Sequence, residues 1–296
     1  MTQIEPEILA VNRPVDQNAG PAAGALRNPV RVPSASAGNM LPGNNESKMT
    51  KIAVVTDLHA NREAVEAVFA HARARGATEW AFLGDFVGYG ADPAWVIDRV
   101  RELVDAGAAA VCGNHDEAAV IGSTPQMRAE ARLVIDWTRA QLAPDQLDFL
   151  ASLPFQVQRQ DRLYVHANAF APSQWEYVQG RADAVRSIHA TSCRYTFCGH
   201  VHEPQLYHLG ATGKAGDFTP TPEIPIPLPG YRQWLVIPGS AGQPRDGNPA
   251  ACYAMFEPEA QRITYHRVPY DHESAAAKIR AAGLPDRLAA RLAEGF

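Results

Sequence analysis

Seven residues of three side-chain types recur just beyond apolar runs: Asp57, His59, Asp85, Asn114, His166, His200 and His202. Carboxylates, imidazoles and one amide oxygen, with no thiolate, form a donor set for Mn, Fe, Zn, Co or Ni rather than for an iron–sulfur cluster or a structural cysteine–zinc site. Seven donors exceed the needs of one tetrahedral ion and suit two ions that share a bridging carboxylate. Asp57-x-His59 and His200-x-His202 would place alternate side chains on one side of an extended segment. Gly84, Gly113 and Gly199, each beside a donor, are expected in tight turns that need positive φ, and they leave room for a metal and a substrate.

These donors need elements to deliver them. Lys51–Thr56 is a short apolar run with the character of a buried strand, and Asn61–Arg75 carries apolar residues at helical spacing until Gly76. Trp80–Leu83 predicts a second strand. Pro93–Ala106 predicts a helix with Asp92 as N-cap, and Ala108–Cys112 a third strand. That alternation argues for an α/β fold. Helices follow over Arg128–Leu142 and Asp145–Leu153. Beyond Pro154 the chain turns β-rich, with short strands at Phe155–Arg159, Leu163–His166, Tyr195–Cys198, Leu206–His208, Trp234–Ile237, Tyr253–Phe256 and Ile263–Arg267, and helical turns between Arg181 and Ala190. Residues 209–230 read as a long surface loop that could drape over the site, and residues 272–295 as two alanine-rich helical stretches split by Gly283 and Pro285. The donors all lie at or just beyond strand ends, where open α/β sheets bind their ligands.

Composition narrows the function classes. The chain has 296 residues, 46% hydrophobic, with a net charge of −5, enough for one sizeable core. No basic run suggests duplex nucleic acid, and no apolar stretch approaches the ~20 residues of a membrane span. Cys112, Cys193, Cys198 and Cys252 form no CxxC pair and read as reduced thiols in or near core strands, which suggests a cytoplasmic protein. Residues 1–48, rich in Pro, Gly, Ala, Asn and Ser, are expected to be disordered, with Met49 a candidate start and 49–296 the folded domain. His71, His189, His208, His266 and His272 read as surface or hydrogen-bonded core histidines.

The blocks TDLHAN, GDFVGYG, GNHD, VHA and GHVH resemble, in order, those of the calcineurin-like metallophosphoesterase superfamily, and PGSAGQPRDGNPAACY resembles the tail motif of its small prokaryotic members. The resemblance implies a four-layer α-β-β-α sandwich with two mixed β-sheets flanked by helices. It implies that Asp57, His59 and His202 hold one metal, that Asn114, His166 and His200 hold the other, and that Asp85 bridges them. His115 would not be a ligand. It would protonate the leaving oxygen or stabilise the phosphoryl charge, while Asn61 and Arg245 are candidate phosphate contacts. Manganese is the favoured metal. A hydroxide formed between two ions about 3.5–4 Å apart would attack phosphorus in line.

Protein phosphatases of that superfamily read GDxVDRG and GNHE. Here Gly88-Tyr89-Gly90 replaces Asp-Arg-Gly, and Asp116 replaces Glu. The arginine that grips a phosphoserine dianion is absent at that position. The expected substrate is therefore small: a phosphodiester or nucleotide phosphate first, a phosphomonoester second, a dinucleoside polyphosphate third. A non-catalytic scaffold would show eroded ligands, and none is eroded here.

Overall fold

The computed structural model describes residues 49–296; the expectations for residues 1–48 lie outside the described residues. The first half alternates strand and helix: β1 (Ile52–Val55), α1 (Arg62–Ala74), β2 (Glu79–Phe82), α2 (Pro93–Asp105), β3 (Ala109–Ala110), α3 (Asn114–Ile121), α4 (Ala129–Ala140) and α5 (Pro144–Ser152). The second half is mostly strand: β4 (Gln156–Arg159), β5 (Arg162–Val165), α6 (Arg181–His189), β6 (Tyr195–Phe197), β7 (Pro204–Gly210), β8 (Ala215–Phe218), β9 (Ile226–Pro227), β10 (Arg232–Pro238), β11 (Ala251–Glu257) and β12 (Arg262–Val268). Two helices, α7 (His272–Ala281) and α8 (Asp286–Glu294), close the chain.

The strands form two mixed six-stranded sheets, ordered β3-β2-β1-β11-β12-β9 and β4-β5-β6-β10-β7-β8. In the first, β1, β2 and β3 are parallel and β11 runs antiparallel to β1. In the second, β5, β6 and β10 are parallel. The alternation along β1 explains the layering. Ile52 and Val54 point into the core between the sheets with Leu83, Phe197, Val236 and Phe256, while Ala53 and Val55 point to the helix layer with Val65, Val68 and Ile97. A strand buried on both faces reads as a continuous apolar run, and β1 does. Helix α6 covers the second sheet through Ala184 and Ile188. The four-layer sandwich expected from the sequence is the one observed.

Two local expectations need correction. Residues 209–230 are not a structureless loop. They finish β7, turn back as β8, then cross to the other sheet, where Ile226 pairs with Ile263 of β12 and Leu228 is buried in the inter-sheet core. The segment seals the sandwich edge because its prolines suit an edge position. Asp92 is the N-cap residue of α2 as expected, but its side chain makes no capping hydrogen bond; it accepts instead from Lys278 Nζ of α7 at 2.8 Å. Asn114 and His115 open α3, a helix the sequence did not suggest because its first turn is buried and lacks an amphipathic pattern. Among the described residues, no helix is long and apolar enough to cross a membrane.

Candidate metal centre

The chain leaves β1 and β2 in step. Asp57 N–H donates to Gly84 O (3.1 Å), His59 N–H to Asp85 O (2.9 Å) and Ala60 N–H to Phe86 O (2.8 Å), so the two post-strand turns run side by side. Asp57, His59, Asp85, His200 and His202 all have positive φ, between 46° and 68°. The donors therefore do not converge from extended segments, as the alternate spacing suggested. They converge because the backbone coils left-handed at the donors themselves, a conformation costing about 1–3 kcal/mol each that the surroundings must hold.

Two of the glycines act by absence of bulk rather than by φ. Gly113 has φ −100°, yet a Cβ there would lie 2.1 Å from Asp85 Oδ1. A Cβ at Gly199 would lie 1.9 Å from Thr56 Oγ1 and 2.6 Å from Asp57 Oδ2. Only Gly84, at φ +90°, meets the positive-φ expectation.

The seven donors come together in two clusters that share Asp85. Asp57, His59, Asp85 and His202 form one; Asp85, His166 and His200 form the other, with Asn114 Oδ1 3.0 Å from His166 Nε2. Asp85 Oδ2 lies 3.7 Å from His59 Nε2 and 3.4 Å from His166 Nε2, between the two groups. All seven residues are buried.

Each imidazole is anchored through its far nitrogen. His59 Nδ1 faces Val87 O at 3.1 Å, His166 Nδ1 faces Leu83 O at 2.7 Å, His202 Nδ1 faces Gln243 O at 2.6 Å, and His200 Nε2 faces Trp175 O at 3.0 Å. A carbonyl can only accept, so each of these nitrogens carries the proton and the inward nitrogen of the neutral ring is a bare lone pair. Those lone pairs face one another: His59 Nε2 and His202 Nε2 at 3.1 Å, His166 Nε2 and His200 Nδ1 at 3.1 Å. Asp57 Oδ1, buried and without a hydrogen-bond donor among the described residues, sits 3.2 Å from His202 Nε2. Ligand-capable atoms facing one another in this way fit cations held between them.

Protonation follows the same logic. Burial pushes His200 down to about 3, with His166 adding repulsion, and burial holds His59 well below its usual value. Burial also opposes a charge on His166, but Asp85 and Asp57 outweigh it and raise His166 to about 9. Without metal, one ring takes a proton in place of the cations.

Residues 50–261 match the family model described as the calcineurin-like phosphoesterase superfamily domain. The chain belongs to this superfamily. A metallophosphoesterase of known structure from Sphaerobacter thermophilus is similar at 36% identity and a TM-score of 0.74, covering 84% of this chain and 100% of that one. An uncharacterized protein of Methanocaldococcus jannaschii is 34% identical over 247 residues, 81% of this chain and 96% of its own length. A hypothetical protein from Pyrococcus horikoshii OT3, 17% identical, shares the fold at a TM-score of 0.67, covering 84% of this chain and 99% of that one. This calcineurin-like phosphoesterase is a metal-dependent phosphoric ester hydrolase of a family that uses dinuclear divalent centres, and its buried Asp/His cluster fits that use.

The phosphoesterase also relies on residues the sequence did not single out for a role. Asp116 accepts backbone N–H groups from Asp85, Phe86 and Gly113 at 2.8–2.9 Å and so fixes the turn that presents Asp85. Its place in the GNHD block was the available signal. Ser240 Oγ donates to Asp57 O at 2.9 Å, and Gly242 N–H donates to the same oxygen at 2.8 Å. The PGSAGQP stretch is thus a clamp on the β1 turn. Trp175 and Tyr177 pack on the other side, Tyr177 stacked on His200 at 4.0 Å.

His115 stands beside the clusters, its ring edge-on to His59 at 4.9 Å and to Tyr89 at 4.4 Å. Asn61 caps α1, accepting Ala64 N–H at 3.2 Å, and donates both amide hydrogens, to Gly242 O and to Tyr270 Oη. Arg245 donates to Gln243 Oε1 at 2.9 Å, with its guanidinium 5.8 Å from the Tyr89 ring. Burial, then Arg291 and Arg287, pull its pKa down to about 9.

Proposed function

We propose that this phosphoesterase hydrolyses a small phosphodiester or nucleotide phosphate at a centre of two divalent ions, manganese favoured. Asp57, His59 and His202 would hold one ion, Asn114, His166 and His200 the other, and Asp85 both. The observation that carries this reading is the set of inward lone pairs, each fixed by a carbonyl on the far side of its ring. When bound, the ions supply Lewis acidity toward phosphoryl oxygens and a water of lowered pKa.

His115 is the proposed catalytic residue that is not a ligand. Burial pushes it down to about 4, against the attraction of Asp85. A neutral ring at pH 7 suits an N–H donor to a phosphoryl or leaving oxygen better than a charged acid. Tyr89 supports the substrate class. It replaces the arginine of protein phosphatases and lays a neutral ring against His59 and His115. A neutral wall favours the single charge of a diester over the double charge of a monoester. Arg245, its guanidinium 5.8 Å from the Tyr89 ring, favours the runner-up, a phosphomonoesterase, since it is the candidate cation for a phosphate. The remaining candidate contact, Asn61, would act through the turn it braces. Four buried free cysteines fit a cytoplasmic setting.

The test is a screen of the manganese-loaded protein across cyclic nucleotides, dinucleotides, bis-p-nitrophenyl phosphate, monoesters and phosphopeptides. Higher kcat/KM on diesters or nucleotide phosphates is expected. A clear preference for phosphopeptides would reject the substrate class, and no hydrolysis with any metal would reject the reading.

A further inference from the structure

Two of the background histidines do not stay apart in the fold. His71 on α1, His266 on β12 and Glu223 in the crossover between β8 and β9 each bring one ligand-capable atom within 4.8 Å of the others. We propose that His71, His266 and Glu223 form a further divalent-metal site, separate from the catalytic centre and suited to zinc.

Two imidazoles and a carboxylate are a zinc donor set, with water as a fourth ligand. His71 Nδ1 is held by Tyr253 Oη at 2.9 Å, which orients the ring and leaves Nε2 for a metal. Tyr253 also stacks on His266 at 4.9 Å, so one tyrosine sets both rings, which meet edge-on at 5.2 Å. His266 Nδ1 faces Glu223 Oε1 at 2.7 Å, a hydrogen-bond length; a metal replacing that proton would open the pair to about 3.3 Å. Burial lowers the pKa of both rings, and His266 lowers His71 further, which keeps both in the neutral form that ligates.

The carboxylate is delivered deliberately in position. Glu223 takes φ 64°, rare for a non-glycine residue, and its N–H is pinned to Tyr265 O at 2.8 Å. Arg75 holds the other oxygen, Oε2, at 2.8 Å and leaves Oε1 toward the rings. That cation opposes a metal, but Arg75 is 52% exposed and can swing into water. Glu223 is exposed while His266 is buried, so an ion has a route from solvent. Bound there, it would tie α1, β12 and the crossover together at the sandwich edge.

The test uses the full chain, stripped by chelation and equilibrated with micromolar free zinc, with metal per chain read by plasma mass spectrometry. His71→Ala and Glu223→Gln are both outside the catalytic centre. Each should bind one zinc fewer than the parent protein, keep its phosphoesterase turnover, and show a smaller zinc-induced rise in Tm. Either variant retaining the parent zinc count would overturn the site. Loss of more than one equivalent, or of turnover, would overturn its separateness. The count is a difference between proteins, so it stands whatever the catalytic centre binds.

Discussion

The carboxylate of Asp116 accepts the backbone N–H of Asp85 at 2.8 Å, and the same side chain accepts Gly113 N–H at 2.9 Å. One buried acid thereby joins the turn after β2 to the start of α3. Above pH 7, where Asp116 is ionised, Asp116→Asn would turn an N–H donor toward the backbone donors that the carboxylate accepts. A buried donor without an acceptor costs about 1–3 kcal/mol. The variant should unfold at lower denaturant and bind metal more weakly. Unchanged stability in urea melts would show that Asp116 does not set the Asp85 turn.

Asp85→Asn keeps the size of the side chain but removes a charge at the one residue common to both clusters. Metal content and turnover should fall together, by more than the about 10–100-fold that losing an outer hydrogen-bond partner costs. Measuring both on one preparation checks it. Near-normal turnover with both ions in place would refute the bridging role.

His115→Ala should separate chemistry from metal binding. Turnover should drop by about 10²–10⁴-fold, the usual span for a lost proton-transfer or donor group. Metal content should stay at the parent value, because His115 is not counted among the donors. A variant that lost its metal instead would make His115 a ligand or a support for one.

The metal-free protein should be most stable near pH 6.5. Histidine in an unfolded chain titrates near 6.5. His59, His115 and His200 are all held lower by burial, to about 4 for His115 and about 3 for His200, so below pH 6.5 unfolding takes up three protons there. Asp116, pushed to about 7 by burial and by Asp85, already holds a proton in the fold and offsets one of the three. These four groups should together make stability fall with acid by about 2.7 kcal/mol per pH unit, and His71, His208 and His266, also held low by burial, act in the same direction. Above pH 6.5 the sign reverses. His166, raised to about 9, keeps a proton that the unfolded chain has released, and stability falls as pH rises. Urea midpoints from pH 4 to 9 in chelator test this, and a steady rise through pH 9 would contradict it. Added metal should remove the alkaline limb, since ligation needs His166 deprotonated.

The sequence singled out residues that the fold brings together, because seven ligand-type side chains at successive strand ends form a joint pattern, and it revealed the strands because β1, β2 and β10 are apolar runs. It did not reveal how Asp57, His59 and His200 are aimed. Positive φ at a non-glycine residue is imposed by neighbours such as Gly84 O and the Ser240–Gly242 clamp, and nothing in the residue types announces it. Helix α3 was hidden for a related reason: Asn114, His115 and Asp116 are all buried, so the polar face expected of a surface helix is missing. Glu223 met His71 and His266 only through a crossover whose prolines suggested loop and whose pairing with β12 is just two residues long.

The donors divide by sheet. Asp57, His59, Asp85 and Asn114 follow strands of the first sheet, whereas His166, His200 and His202 follow strands of the second. Ions seated among them would act as rivets through the seam. Under mechanical load that slides one sheet past the other, coordination bonds would have to rupture before the apolar layer could shear. The loaded protein should then yield at higher force than the stripped one, and its catalytic centre would also be its strongest fastening.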